Sequence, residues 1–382
     1  MKNNGITEYF VEVETKEKYS GYLYGVAEAI TIVILGSLCG LKNMKRIHQW
    51  AENDRVRKFL REEFGIERIP CYFWLTALLK LVKPESLSHF FTEWVKTLLP
   101  DDRKDRIIAC DGKTVCSTEK MKCYTSPLHI VSAYFAELGM TFAQQAVEDK
   151  SNEIPALQNL LSTLEIKGCL IVADALNCQK RTAKVVVEKE ADYLLVVKNN
   201  QGRLHEDIEN YIHQSTQCQG DMDEEETVEK NRGRIETRIG YTSCDISVIR
   251  DRGDWANLAC FGAIHRKFQT RDANGEWGPE SDEWHYYISS RPLSAAELLH
   301  YARMEWQVES MHWLLDVHFG EDSCRLMDEN EQKNFNVLRK AALNLLKSYQ
   351  AKSEPKRALS ELMFNCLLEP DFMLKIISRN GG

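Results

Sequence analysis

The sequence predicts an α/β fold in which a mixed sheet carries helices on its faces, with residues 1–100 forming a small all-helical domain ahead of it. Three observations lead there. Two short aliphatic runs, Arg106-Ile-Ile-Ala-Cys-Asp111 and Leu170-Ile-Val-Ala-Asp174, read as buried strands, and each ends in a carboxylate. Around them, strand-like and helix-like periodicities alternate as β-β-β-α-β-α-β over residues 106–198. Before them the apolar spacing is helical, and Pro100 with the charged Asp101–Asp105 marks a boundary.

Residues 21–39 are the most apolar run. Its length would suit a membrane span, but Glu28 sits in the middle, so the expectation is a buried core helix with Gly40 ending it. Met44–Phe64 is helical and basic, Ile69-Pro70 breaks it, and Pro84 starts a further helix. Arg106–Val115 is the first strand. Leu128–Glu137 and Met140–Glu148 form a hairpin turning at Leu138-Gly139. Ile154–Ile166 is an amphipathic helix through Leu157, Leu160, Leu161 and Leu164. A strand over Cys169–Ala175, a helix over Lys180–Ala191 and a strand over Asp192–Lys198 follow. Residues 203–285 are less regular, with Asp221–Glu226 expected as a solvated acidic loop, Arg232-Gly233-Arg234 as a basic turn, and two or three further strands ending at Trp284–Ser290. Helix returns over about Ala295–Asp316, with Ser294 and Glu297 at the capping-box spacing. A last helix over about Asn334–Tyr349 precedes a tail, residues 351–382, containing Pro355 and Pro370.

Composition narrows the function. At 382 residues, 43% hydrophobic and 28% charged, the chain reads as globular with room for a large core. The polar, acidic start is unlike a secretory signal, and the 12 cysteines show neither C-x-x-C nor Cys/His ligand spacing, so free thiols in a reducing cytoplasm are expected. The net charge of −8 argues against uniform coating of nucleic acid, whose binding is driven by phosphate neutralisation. A local basic patch exists at Lys42–Arg61, where seven Lys and Arg face only Glu52 and Asp54. There is no phosphate-binding G-x-x-x-x-G-K-[ST] loop, no G-x-S-x-G and no G-x-G-x-x-G.

What remains is the carboxylates. Asp111 and Asp174 at strand ends are candidate metal ligands, or else each caps a turn or pairs with Lys113 or Lys198. Glu305, Glu309 and Asp316 fall on roughly one face of the expected 295–316 helix. Hard oxygen donors without Cys suit Mg²⁺ or Mn²⁺ rather than zinc. His312 and His318 flank Asp316 with no second ligand pair to support zinc, and Trp306 and Trp313, seven apart, are expected in the core.

Beyond these patterns the chain resembles, almost end to end, bacterial insertion-sequence transposases of the ISAs-one group, which includes the H-repeat-associated proteins. The resemblance rests on Asp111-Gly-Lys-Thr114, His129–Ala133, Glu148–Leu157, Val172-Ala-Asp-Ala175, Asp192–Gln201, Gly233-Arg-Ile-Glu236, Tyr286–Ser290, Glu305–Asp322 and Asn336–Leu346. It implies a ribonuclease-H-like DDE catalytic domain over 101–350 with a β-rich insertion at about 203–285. The helical domain at 1–100 would then serve recognition of DNA ends. By the same resemblance Asp111, Asp174 and Glu309 are the catalytic acids and the ligands of two Mg²⁺ or Mn²⁺ ions. Arg303 stands where related enzymes carry an arginine before that Glu, while position 316, where they carry a lysine, holds Asp. Cys116, Asn199, Arg232 and Ser310 also depart from the pattern, the first at an expected arginine, but none is one of the three acids.

The implied activity is metal-assisted cleavage at the ends of an insertion sequence and joining of those ends to target DNA. Lys113, Lys198, Arg234 and Arg303 are the expected phosphate contacts, and Lys45, Arg46, Arg57 and Lys58 the expected end-recognition contacts. The resemblance implies double-stranded DNA (terminal inverted repeats and target) as partner, a homodimer or larger assembly on paired ends, and a cytoplasmic, nucleoid-associated protein without membrane attachment. A non-catalytic DNA-binding derivative and a nuclease that cuts without joining are the alternatives.

Overall fold

The structure, a computed structural model, describes residues 5–17, 23–99, 106–119, 127–147, 152–218, 222–231, 233–272 and 275–378. The expected boundary at Asp101–Asp105, the first four residues of the Glu148–Leu157 motif, Asp221 and Arg232 lie outside the described residues. The chain divides into two compact units, one of Met1–Asp102, Gly112–Ala156 and Glu309–Gly382, the other of Arg103–Asp111 and Leu157–Val308.

The first unit begins with helices α1 (Gly5–Glu8), α2 (Val26–Leu38), α3 (Met44–Ala51), α4 (Asp54–Phe64), α5 (Tyr72–Leu81) and α6 (Pro84–Leu98). The apolar run becomes α2, whose Ile30, Ile32, Val33, Ile34 and Leu35 are fully buried. Glu28 sits in its first turn, its side chain accepting from the Gly25 N–H at 3.3 Å, so the charge within the run is used as a cap. No helix among the described residues is long and apolar enough to cross a membrane. Asn43 and Asn53 cap α3 and α4, and Pro84 occupies the first turn of α6, as its fixed φ favours.

Strand β1 (Ile107–Thr114) passes from the second unit into the first, and α7 (Cys116–Glu119) follows it. The hairpin of β2 (His129–Phe135) and β3 (Met140–Val147) turns at Gly139, whose φ of +68° suits a residue without Cβ. In this unit the strands run β3-β2-β1. Helix α8 (Glu153–Thr163) leads into the second unit, where β4 (Leu170–Ala173), α9 (Lys180–Glu188) and β5 (Asp192–Val197) match the expected alternation.

Residues 203–285 differ from expectation at their start. A 17-residue helix, α10 (Gly202–Cys218), precedes four strands rather than two or three, β6 (Asp223–Asn231), β7 (Arg234–Ser243), β8 (Cys260–Thr270) and β9 (Ser281–Ser289), because the acidic run adds one. The acidic run expected as a loop is the beginning of β6, paired residue for residue with β7. Its charges fit because β6 ends the strand order, and an edge strand tolerates charge that a central one would not. The second unit's sheet is mixed and ordered β1-β4-β5-β9-β8-β7-β6, parallel from β1 to β5 and antiparallel beyond. Helix α11 (Ala295–Glu305), with its Ser294–Glu297 capping box as expected, packs on β7 and β6.

The first unit resumes with α12 (Gln307–Phe319), α13 (Glu329–Ser353), α14 (Leu359–Leu368) and α15 (Pro370–Ser378). The tail is thus two helices, Pro370 opening the second. Helix α13 runs 25 residues, longer than its apolar spacing suggests, and packs on α2, α5, α6 and β3. Polar residues on it are buried and tied to backbone. Asn334 Nδ2 donates to the Leu79 and Val82 carbonyls at 2.7 and 2.9 Å, and Asn344 joins the N–H and C=O of Thr141 at 2.8 Å each. Such bonds offset the desolvation that otherwise makes a buried amide costly.

Candidate active site

The aliphatic character of β1 and β4 drives both strands into the core, and their pairing fixes where their last residues fall. The parallel register runs Ile107↔Leu170, Ile108↔Ile171, Ala109↔Val172 and Cys110↔Ala173, all eight buried. The residue after each of these stretches is an aspartate, Asp111 and Asp174, and both are half-buried. Asp111 lies within β1, which runs on to Thr114 rather than ending there as expected, and Asp174 lies just past the end of β4. Asp174 also caps the turn after β4, its Oδ1 accepting from the Asn177 N–H at 3.2 Å and Nδ2 at 3.0 Å. A cap orients a carboxylate without consuming its remaining lone pairs, so the turn role and a ligand role are compatible. Burial pushes the Cys110 and Cys178 thiols up, and the charges of Asp111 and Asp174 push further, leaving neutral thiols beside hard oxygen donors. That donor set favours Mg²⁺ or Mn²⁺ over softer metals. Among the described residues no group of three His, Cys, Asp or Glu could hold a metal ion.

Glu309 lies exposed in the first turn of α12, in the first unit. The single helix expected over 295–316 is interrupted at Trp306, which caps α11 with φ −70° and ψ −9°. Glu305 and Glu309 therefore sit on separate helices, and only Glu309 and Asp316 share one. No Gly or Pro marks the break, which is why helical spacing ran through it. Trp306 and Trp313 are 42% and 59% exposed, against the expected core placement. The buried stripe of α12 is Val308, Met311, Leu314 and Leu315, which leaves Trp313 on the other face. His318 packs edge-on against Trp313, and burial, then Lys42 and Lys347, hold its pKa below the usual imidazole value.

The basic candidates divide by environment. Lys198 is exposed after β5. Arg234 stacks over Phe268 at 4.2 Å and, with Arg238 and Arg266, converges on Glu236 at 3.0, 2.5 and 2.7 Å. Burial raises the Glu236 carboxyl, but the Arg266 hydrogen bond and the arginine charges outweigh it and hold the group below its ordinary value. Arg303 pairs with Glu229. In the first unit Lys45 and Arg46 are exposed on α3, and Arg57 and Lys58 on α4. Arg57 bonds Glu52 at 2.5 Å, whereas Lys58 is 3.9 Å from Glu62. A groove of about 540 Å³ collects Arg57 and Lys58 with Arg61, the end of the Lys42–Arg61 patch, and with Arg68, which lies beyond it. Lys113 is held inside the first unit by Glu321 and Asp322. That pair of acids was not singled out by the sequence pattern, although it lies within the Glu305–Asp322 stretch.

Comparison with known proteins adds to this geometry. The Transposase DDE domain family matches residues 102–345, and the DDE_Tnp_1-associated family matches residues 7–95. The "Putative transposase YncI" of Escherichia coli O157:H7 is 32% identical over 333 residues, covering 81% of this chain and 82% of its own. The "H repeat-associated putative transposase YhhI" of Escherichia coli K12 is 28% identical, with 93% of each chain covered. Among solved structures, the piggyBac transposase synaptic complex with hairpin DNA aligns at a TM-score of 0.43 and 10% identity, covering 98% of this chain and 78% of that one. A likeness that slight carries no argument here.

Proposed function

The chain belongs to the DDE transposase family that includes the H-repeat-associated proteins, and on the premise that it is a DNA transposase we propose that Asp111, Asp174 and Glu309 are its catalytic acids. One observation carries the assignment: the β1–β4 register ends at Cys110↔Ala173, and the next residue on each side is a carboxylate, Asp111 and Asp174. Family members generally use divalent metal ions, and the donor chemistry of this pair fits Mg²⁺ or Mn²⁺. Asp111 and Asp174 would hold such ions with Glu309 as the third ligand, two ions in all. When bound, they supply Lewis-acid polarisation of the scissile phosphate and activation of the attacking water or 3′-hydroxyl.

The chain's own residues do the rest. The Asn177 bonds hold Asp174 in one orientation. Exposed Lys198, with Arg234 and Arg303 near the Glu236 cluster, would steer phosphates, and the Lys45, Arg46, Arg57 and Lys58 surface would bind the terminal repeats. The catalytic domain is read as ribonuclease-H-like with a β-rich insertion about 203–285 and the helical domain before it. The strand orders β3-β2-β1 and β1-β4-β5 support this reading. A dimer or larger assembly would act on paired ends, on the chromosome in the cytoplasm.

The test is cleavage of labelled DNA bearing the element's own ends, with Mg²⁺ or Mn²⁺, beside Asp174→Ala. End-specific nicks and joined products, both lost in the variant, are expected. Equal cutting by the variant overturns the assignment of Asp174, and cutting without joined products leaves a nuclease.

A further inference from the structure

The strand that delivers Asp111 continues for three residues, Gly112, Lys113 and Thr114, each in contact with polar side chains of the first unit. Gly112 has no room for a side chain: a Cβ there would lie 2.5 Å from both His129 Nε2 and Glu153 Oε2. Those two groups are 2.8 Å apart and almost wholly buried. Thr114 Oγ1 is 3.0 Å from His129 Nδ1. Between them, Lys113 Nζ donates to Glu321 Oε2 at 2.6 Å and lies 3.3 Å from Asp322 Oδ1. The Glu321 side chain is 2% exposed, and its other oxygen accepts from Asn336 Nδ2 on α13. Lys340, also buried on α13, bonds Ser132 Oγ on β2 at 2.8 Å.

We infer that Glu321 is a positioning residue for the transposition reaction: it fixes Lys113 and thereby, through the strand backbone, the direction in which Asp111 presents its carboxylate. The inference rests on the reading of Asp111 as a catalytic acid. It also moves Lys113 from DNA contact to scaffold. An ammonium only 17% exposed, with two carboxylates on it, has its charge already matched and its donors engaged. A phosphate reaching it would compete with a bond to a carboxylate that has no water to turn to. Glu321 is itself anchored by Asn336, so the tether ends on a long packed helix rather than on a mobile side chain.

The experiment is a double-mutant cycle of Glu321→Gln and Lys113→Gln, with Asp322→Asn as a milder probe should the first two fold poorly. Three quantities are read: Mn²⁺ affinity of the protein alone by calorimetry, DNA-end affinity without metal, and cleavage rate at saturating DNA. If Glu321 positions, each single variant weakens Mn²⁺ binding and cleavage by about 10-fold or more, as loss of an outer-shell partner does. DNA affinity stays within about 2-fold, and the double variant is no worse than either single one. Asp322→Asn shifts the same readouts in the same direction by less. The inference is overturned if Lys113→Gln weakens DNA binding while Glu321→Gln leaves Mn²⁺ affinity unchanged, because Lys113 is then a phosphate contact. It is equally overturned if the two effects simply add. Asp174→Ala in parallel separates this from the parent reading: were it to cleave normally, the triad fails, while the Mn²⁺ and DNA readings still judge the Lys113–Glu321 link.

Discussion

Two charge clusters in this protein obey different rules. The one behind β1 is buried and balanced: Lys113 and Lys340 against Glu321 and Asp322. The one centred on β7 and β8, with members on β6, β9 and α11, carries a surplus: Arg234, Arg238, Arg266 and Arg303 against Glu236, Glu229 and Glu283. Low dielectric forces one-to-one pairing in the first, because an unmatched charge there costs several kcal/mol. The second, buried at Glu236, opens to water at its rim, where Arg303, Glu229 and Glu283 are each 44% exposed and the surplus is screened. Within the first cluster burial pushes Lys340 down to about 8. The Glu321 carboxyl, raised by burial, is nonetheless held below its ordinary value by Lys113 and Lys340. Where charges cannot be neighbourless they define geometry, and where they are solvated they are free to meet a polyanion.

Breaking the inner cluster should do the most damage. Glu321→Leu leaves two buried ammoniums facing one part-exposed carboxylate, and chemical denaturation should show a loss of about 3–5 kcal/mol or outright failure to fold. Gly112→Ala places a methyl against the His129–Glu153 pair, and overpacking of that kind costs about 1–3 kcal/mol, with cleavage falling alongside. An unchanged melting temperature for that variant would show that the pair can yield.

A third buried acid sharpens the contrast through pH. Glu331 on α13 is raised to about 7 by burial, which Lys80 at 3.8 Å only partly offsets and Asp328 reinforces. A carboxyl whose folded pKa lies above its unfolded value binds protons more tightly when folded, so stability falls as pH rises from about 4.5 through 7. Glu331→Gln should therefore flatten the stability–pH profile, gaining on the order of 2 kcal/mol at pH 8 and nothing near pH 4. A variant that loses stability at pH 8 instead would mean the Lys80 pair outweighs burial.

The outer cluster should respond least in stability and most in binding. Glu229→Gln is expected to change stability by about 1 kcal/mol or less, since Glu229 and its partner Arg303 are each 44% exposed and the arginine can turn to water. The extra positive charge should tighten DNA binding and steepen its salt dependence, measured as log affinity against log salt concentration. A large stability loss with unaltered salt slope would place that cluster with the inner one.

Much of the fold around the candidate site could be read from local pattern. Four apolar residues before Asp111 and Asp174 suffice to predict buried strands that lead to a carboxylate, because burial follows from side-chain chemistry alone. They do not predict that β1 runs on past Asp111 to Thr114. Ser294 with Glu297, Pro84 at a helix start and Gly139 at the hairpin were equally local. Asp223–Glu226 defeated the same reasoning, since an edge strand is held by backbone bonds to β7 that no side chain advertises. Trp306 and Trp313 did so too, because a heptad spacing names a face but not which face is covered. The interruption at Trp306 came from no breaker residue.

The sequence by itself determined the family, the alternation of elements and the two aliphatic runs that lead to Asp111 and Asp174, since these depend on residue type and near-neighbour spacing. Only the tertiary structure decided that Lys113 meets Glu321, 208 residues away, and that three arginines share Glu236. Partners so distant in the chain are chosen by register and packing, and a charge carries no mark of which opposite charge it will meet until the backbone has brought them together.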